Sequence, residues 1–137
     1  MRRHGDLPFD FDEEYRPTSP KSSVGLYDLS PDHLYQLLRM TLLAKTTTGK
    51  TIGKYTVEDY RIVHLTHSQN DRINILYQEY LALSPGLQRF SGRPLHDVWN
   101  ELLSVRERGR FVCGHWDAAI SAIKNDQLRA YLSDRYA

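Results

Sequence analysis

The chain has 137 residues, of which 40% are hydrophobic, 26% charged and 11% aromatic, the profile of one folded domain rather than a disordered chain or a pair of domains. Eighteen basic against 17 acidic residues leave a net charge of +1, which excludes the dense positive field of a dedicated duplex-DNA binder. One cysteine, Cys113, rules out an internal disulfide framework, and no apolar run reaches the roughly 18 residues of a membrane span.

Residues 1–24 hold five acids, four Lys or Arg and three prolines, with Leu7, Phe9, Phe11 and Tyr15 scattered among them. Over its whole length the stretch sustains neither a helical nor a strand period, and its prolines block a helix, so it reads as a disordered tail. Acids stand where a signal peptide would have an apolar core, and the expected location is intracellular, cytoplasmic or nuclear. Residues 25–137 read as a single helical domain.

From Ser30 the punctuation turns helical: Ser30 as N-cap, Pro31 at the first helical position and Asp32 in the first turn. Leu34, Leu37, Leu38 and Leu42 then form an apolar stripe, with Met40 beside it. Lys45 to Tyr55, rich in Thr and containing two Gly, suits a loop or a short two-stranded ribbon. Thr56 with acids at 58 and 59 starts a short helix to His67, although β-branched Ile62 and Val63 leave a strand as the alternative. Ser68 and Asp71 resemble a capping box opening a helix through Leu83, with Ile73, Leu76, Tyr77, Tyr80 and Leu81 on one face. Pro94 opens the next helix, in which Leu95, Val98, Trp99 and Leu102 recur at helical spacing and Gly109 closes. A last unit starts at Trp116, breaks at Asn125-Asp126 and resumes to the end. The expected fold is therefore all-α, or mainly α with a short β-ribbon: a compact bundle of five to six helices after the tail.

Four features touch on chemistry. Residues 44–51, AKTTTGKT, match the loosest spelling of a phosphate loop. A phosphate loop leaves a buried strand and opens a helix, whereas this one follows a helix, so a threonine-rich turn is the expected reading. Its lysines, Lys45, Lys50 and Lys54, are near enough in sequence to contact a phosphate or an acidic partner. His64, His67, Cys113 and His115 carry metal-ligand chemistry but lack the paired close spacing of structural zinc sites, and no metal or cofactor is expected. His64-Leu65-Thr66 is similar to one half of a two-histidine phosphoesterase signature, with no second copy to supply its acid or base. Cys113 follows Phe111-Val112 and reads as a buried, inert thiol. No catalytic set assembles, and the protein is expected not to be an enzyme.

Binding signals remain. Arg106, Arg108 and Arg110 complement the end of the predicted 94–109 helix and offer planar bidentate contacts, interleaved with acids. Tyr15-Arg16-Pro17-Thr18-Ser19-Pro20-Lys21 is similar to one heptad of the RNA polymerase II carboxy-terminal repeat, with Arg16 and Lys21 where that repeat has serine. The resemblance covers about a twentieth of the chain and implies a proline-directed phosphorylation site at Ser19. Upstream, Phe9, Phe11 and Tyr15 among acids have the composition of segments that dock hydrophobic anchors into a groove. The expected function is a non-enzymatic interaction or regulatory protein that binds a protein partner, or itself as a homodimer, through a helical surface. Small accessory or matrix-type viral proteins share that architecture. The alternative is a nucleic-acid module with a helix-turn-helix over 56–83 and the Arg-rich stretch 106–110.

Overall fold

The computed structural model describes residues 24–76 and 83–136. Their order is a 3-10 turn at Leu26–Leu29, α1 Asp32–Thr47, β1 Thr51–Ile52, β2 Tyr55–Thr56, β3 Ile62–Thr66, α2 Asp71–Asn74 and β4 Ile75–Leu76. After the gap come α3 Pro85–Gln88, β5 Arg93–Pro94, α4 Leu95–Leu102, β6 Phe111–His115, α5 Trp116–Ser121 and α6 Asp126–Tyr136. The fold is mixed α/β, which overturns the all-α expectation. Among the described residues the strands form three two-stranded sheets: antiparallel β1–β2, parallel β3–β6 and antiparallel β4–β5.

Each departure has a physical cause. Residues 62–66 are a strand because Ile62 and Val63 disfavour a helix and Phe111–His115 supplies a parallel partner in register Ile62↔Phe111 to Thr66↔His115. The helix predicted from Ser68 lasts one turn, since Ile75 and Leu76 pair with Pro94 and Arg93. Tertiary pairing thus overrides the apolar period, and the remainder of that prediction, 77–82, lies outside the described residues. With a strand at 62–66 and a single turn at 71–74, residues 56–76 do not form a helix-turn-helix. Helix α1 starts one residue later than the punctuation suggests, with Pro31 rather than Ser30 as N-cap, and runs on through Thr47. The hydroxyls of Thr46, Thr47 and Thr48 donate back to the carbonyls of Leu43 and Ala44, and Gly49 at φ 81° ends the helix in the left-handed region. The β1–β2 ribbon follows, as the Thr- and Gly-rich composition allows.

Trp99, fully buried, anchors the core with Leu34, Leu37, Leu38, Leu76, Leu87, Leu95, Leu103 and Phe111 around it. Its indole N–H donates to Thr41 Oγ1 at 3.3 Å, and that hydroxyl donates to the Leu37 carbonyl at 2.8 Å. A polar tryptophan edge and a helical threonine therefore satisfy each other inside the core. Met40, placed beside the α1 stripe by sequence, is exposed instead.

Two buried carboxylates knit the periphery to this core. Asp28 accepts the Gly25 N–H at 2.7 Å and the Ser84 hydroxyl. Glu107, 4% exposed, accepts from Lys45 Nζ and, at 2.8 Å, from the Tyr60 hydroxyl. Arg110 Nε lies 2.7 Å from the same carboxylate as an ion pair, its buried N–H unaligned for a hydrogen bond. The Arg110 guanidinium lies over the Tyr60 ring at 4.9 Å and pairs with Asp59. Burial, then the bond to Glu107, pushes the Tyr60 phenol far above its ordinary range. The arginine and lysine that sequence offered as partner contacts, Arg110 and Lys45, are thus bound internally at the junction of α1, the approach to β3 and the approach to β6.

Candidate functional site

Side chains alternate across the β3–β6 pair and give it two unlike faces. The inner face carries Ile62, His64 and Thr66 beside Phe111, Cys113 and His115. The outer face carries Val63, Leu65 and Val112, which are 58%, 59% and 38% exposed, with Gly114 opposite Leu65.

The inner face borders a cleft of about 350 Å3 lined by His64, Cys113, His115, Ser68, Asp71 and Asn74 over Leu95 and Ile75. Thr66 Oγ1 donates to Asn74 Oδ1 at 2.5 Å, and Asn74 Nδ2 donates to the His67 carbonyl at 2.8 Å, which fixes one wall. The Ser68 N–H and hydroxyl donate to Asp117 at 2.9 and 2.6 Å. These bonds hold the Asp117 carboxyl below its usual range and tie the exit of β3 to the first turn of α5. His64 packs its ring 5.8 Å from that of Phe111. Burial, and then the neighbouring His33, holds His64 below the ordinary imidazole value. His33 is held low by burial against a smaller opposing pull from Asp32.

Chemically the cleft brings together three of the four residues that sequence grouped as possible ligands. The fourth, His67, faces elsewhere, with its ring edge-on to Trp116 at 4.9 Å. Among the described residues no three His, Cys, Asp or Glu side chains are arranged to hold a metal ion. Cys113 is half-buried rather than buried as its apolar neighbours suggested. Its register partner His64 is an imidazole that burial keeps neutral, and a neutral ring does not stabilise a thiolate as a cation would.

The pair of depressed histidines has a measurable consequence. A folded-state value below the unfolded value of about 6.5 means that the unfolded chain takes up protons first as pH falls. Stability is full above pH 6.5 and declines below it, until the folded protein protonates as well. Urea midpoints at pH 7.5 and pH 5.5 are expected to show this decline, and the variant His64→Asn is expected to lessen it. An identical pH slope in that variant removes His64 as a source.

The outer face has a different character. Parallel sheets are ordinarily covered on both faces, yet here three apolar side chains of one stand in solvent. The edges of the pair also differ. Ile62 N–H donates to the Arg110 carbonyl at 2.8 Å, so the peptide groups of Ile62, His64 and Thr66 turn toward β6 while those of Val63 and Leu65 turn outward. On the far side of β6, Asn100 Nδ2 donates to the Phe111 carbonyl at 2.9 Å, and α4 packs along that edge. No described strand pairs with the outer edge of β3.

The other sequence candidates fall apart from this site. Phe9, Phe11, Tyr15 and Ser19 lie outside the described residues. Lys50 and Lys54 are exposed on the β1–β2 ribbon, with Lys54 Nζ 5.2 Å above the Tyr55 ring. Gly49 N–H donates to the Val57 carbonyl, and Lys50 N–H to that of Thr47, so the amides that a phosphate loop would present are already occupied. Arg106 and Arg108 are exposed on the turn after α4, where Arg108 Nε reaches the Leu103 carbonyl at 3.4 Å. The α4 helix ends at Leu102, so these arginines do not cap a helix as expected. The edge of β3 escaped the sequence reading, although the period-two alternation Ile62, His64, Thr66 against Val63, Leu65 was its available signal.

No family model matches this chain, and no curated protein or solved structure matches it either. Among the described residues no helix is long and apolar enough to cross a membrane.

Proposed function

We propose that the protein is a non-enzymatic interaction protein that captures an extended, apolar-faced segment of a macromolecular partner along the outer edge of β3. The observation that carries this reading is the coincidence, on one strand, of outward peptide groups and outward apolar side chains, Val63 and Leu65. An added strand takes main-chain hydrogen bonds from such an edge and specificity from alternate side chains. Exposed edges with apolar faces self-associate when left bare, which is why folded proteins cover or charge them. This reading places the contact on a strand edge, where the sequence pointed to a helical surface.

The test is the double variant Val63→Asp with Leu65→Asp in an affinity capture from the native host, beside the parent chain. Both side chains are more than half exposed, so a stability change below about 1 kcal/mol is expected. Partners retained by the parent should fall at least tenfold. A variant that keeps its far-ultraviolet spectrum, its melting temperature and every partner overturns the reading.

A further inference from the structure

We propose that the edge of β3 is also occupied in cis by the chain's own residues Leu7–Phe11, which add to it as an antiparallel third strand. The inference rests on the reading of that edge as a strand-accepting site. Four observations on the sequence and the fold converge on this occupant.

Over five residues, Leu7, Phe9 and Phe11 alternate with Pro8 and Asp10. This local period of two puts three apolar side chains on one face of an extended strand. Those side chains would continue the apolar outer face of Val63, Leu65 and Val112.

Pro8 fits this pairing and opposes its alternative. Directly opposed residues point their side chains to the same face, so Leu7, Phe9 and Phe11 are the residues whose peptide groups turn toward β3. The N atom of Pro8 then turns away, to the free side of an edge strand, where proline is tolerated. A register slipped by one residue would aim the missing N–H at β3 and the acids Asp10 and Asp12 onto the apolar face.

Charge sets the direction. Arg61, exposed at the start of β3, makes no ion pair among the described residues. With Phe9 opposite Leu65 and Phe11 opposite Val63, an antiparallel strand brings Glu13 opposite Arg61. A parallel strand would carry the acids 12–14 toward the other end of β3, away from that guanidinium.

Reach is no obstacle. The first described residue, Val24, is buried in the core, and the 12 residues between it and Phe11 can span up to about 40 Å when extended. That exceeds the roughly 37 Å diameter of a compact sphere with the radius of gyration of about 14 Å expected of a domain this size.

The experiment is amide hydrogen exchange on the full-length chain, comparing the parent with the double variant Phe9→Asp, Phe11→Asp. In the parent, the amides of Val63 and Leu65 should exchange at least tenfold more slowly than in the variant, while the Trp99 region is unchanged. The protection should be the same across a hundredfold range of protein concentration. Protection that rises with concentration identifies the strand as a second copy's and overturns the cis assignment. Free exchange of Val63 and Leu65 in the parent, or protection that survives in the variant, also overturns it. The captures separate this inference from the reading beneath it. If Val63→Asp, Leu65→Asp abolishes partner capture while Phe9→Asp, Phe11→Asp leaves exchange unaltered, the edge binds a partner and the tail is not its ligand. If exchange responds but capture never depended on Val63 and Leu65, the tail covers an edge that has no partner. With both correct, Phe9→Asp, Phe11→Asp raises capture, because it frees the edge.

Discussion

Gly86→Ala is expected to lower the unfolding free energy by about 2–4 kcal/mol, the sum of an overpacked core and a disturbed buried hydrogen-bond set. A Cβ at this position would meet the Asp28 carboxylate at 2.5 to 2.9 Å. The carboxylate has nowhere to retreat, since it is fully buried and held by the Gly25 N–H and the Ser84 hydroxyl. Any movement leaves donors on both the N-terminal turn and the entry to α3 without their acceptor. The control is Gly114→Ala, where the new Cβ would meet only Leu65 Cδ2 at 2.9 Å. That contact is the far end of an exposed, flexible side chain, and the expected cost is below about 1 kcal/mol. Urea denaturation of both variants decides the ordering. Adding Asp28→Ala to Gly86→Ala should recover part of the steric cost, which a double-mutant cycle reads as coupling. Equal effects of the two glycine substitutions contradict the account.

Glu107→Ala is the second large effect, about 2–4 kcal/mol, because removing one partner from a buried ionic cluster strands the others. Here the survivors would be Lys45 Nζ, the Arg110 guanidinium and the Tyr60 hydroxyl, all now directed at Glu107. Lys45 and Arg110 remain about a third exposed at their side chains, so water relieves part of the penalty and the value stays at the lower end of the range for fully buried pairs. Glu107→Gln should cost less, since the amide oxygen still accepts one of these bonds. The phenol provides an independent readout: without the carboxylate, the Tyr60 ionisation should move down toward its ordinary range in a spectrophotometric titration, although burial, its largest cause, persists. A melting temperature unchanged in Glu107→Ala rules out a stabilising role for the cluster.

The sequence was informative where stability is local. The stripe Leu34, Leu37, Leu38 and the stripe Leu95, Val98, Trp99, Leu102 belong to helices of the structure, and the break at Asn125-Asp126 falls where α5 gives way to α6. It misled where a segment's state depends on a distant partner. The start signal at Thr56 argued for a helix up to His67, but Phe111–His115 offers five residues of parallel pairing and the β-branched pair Ile62, Val63 accepts it. Likewise Ile75 and Leu76 leave the helical period because Arg93 and Pro94 lie alongside. Cys113, His64 and His115 were already grouped by residue type, yet only the strand register shows that they share a cleft and that His67 does not. The buried acids Asp28 and Glu107 were invisible, since a charged residue's burial is set by partners as remote in sequence as Ser84 and Lys45.

The parallel pairing of β3 with β6 also bears on how the chain acquires its fold. Everything from His67 to Arg110 separates the two strands, so their ladder cannot zip from a turn and must await the docking of α4 and its neighbours. During synthesis β3 leaves the ribosome with both edges bare until Phe111–His115 has followed.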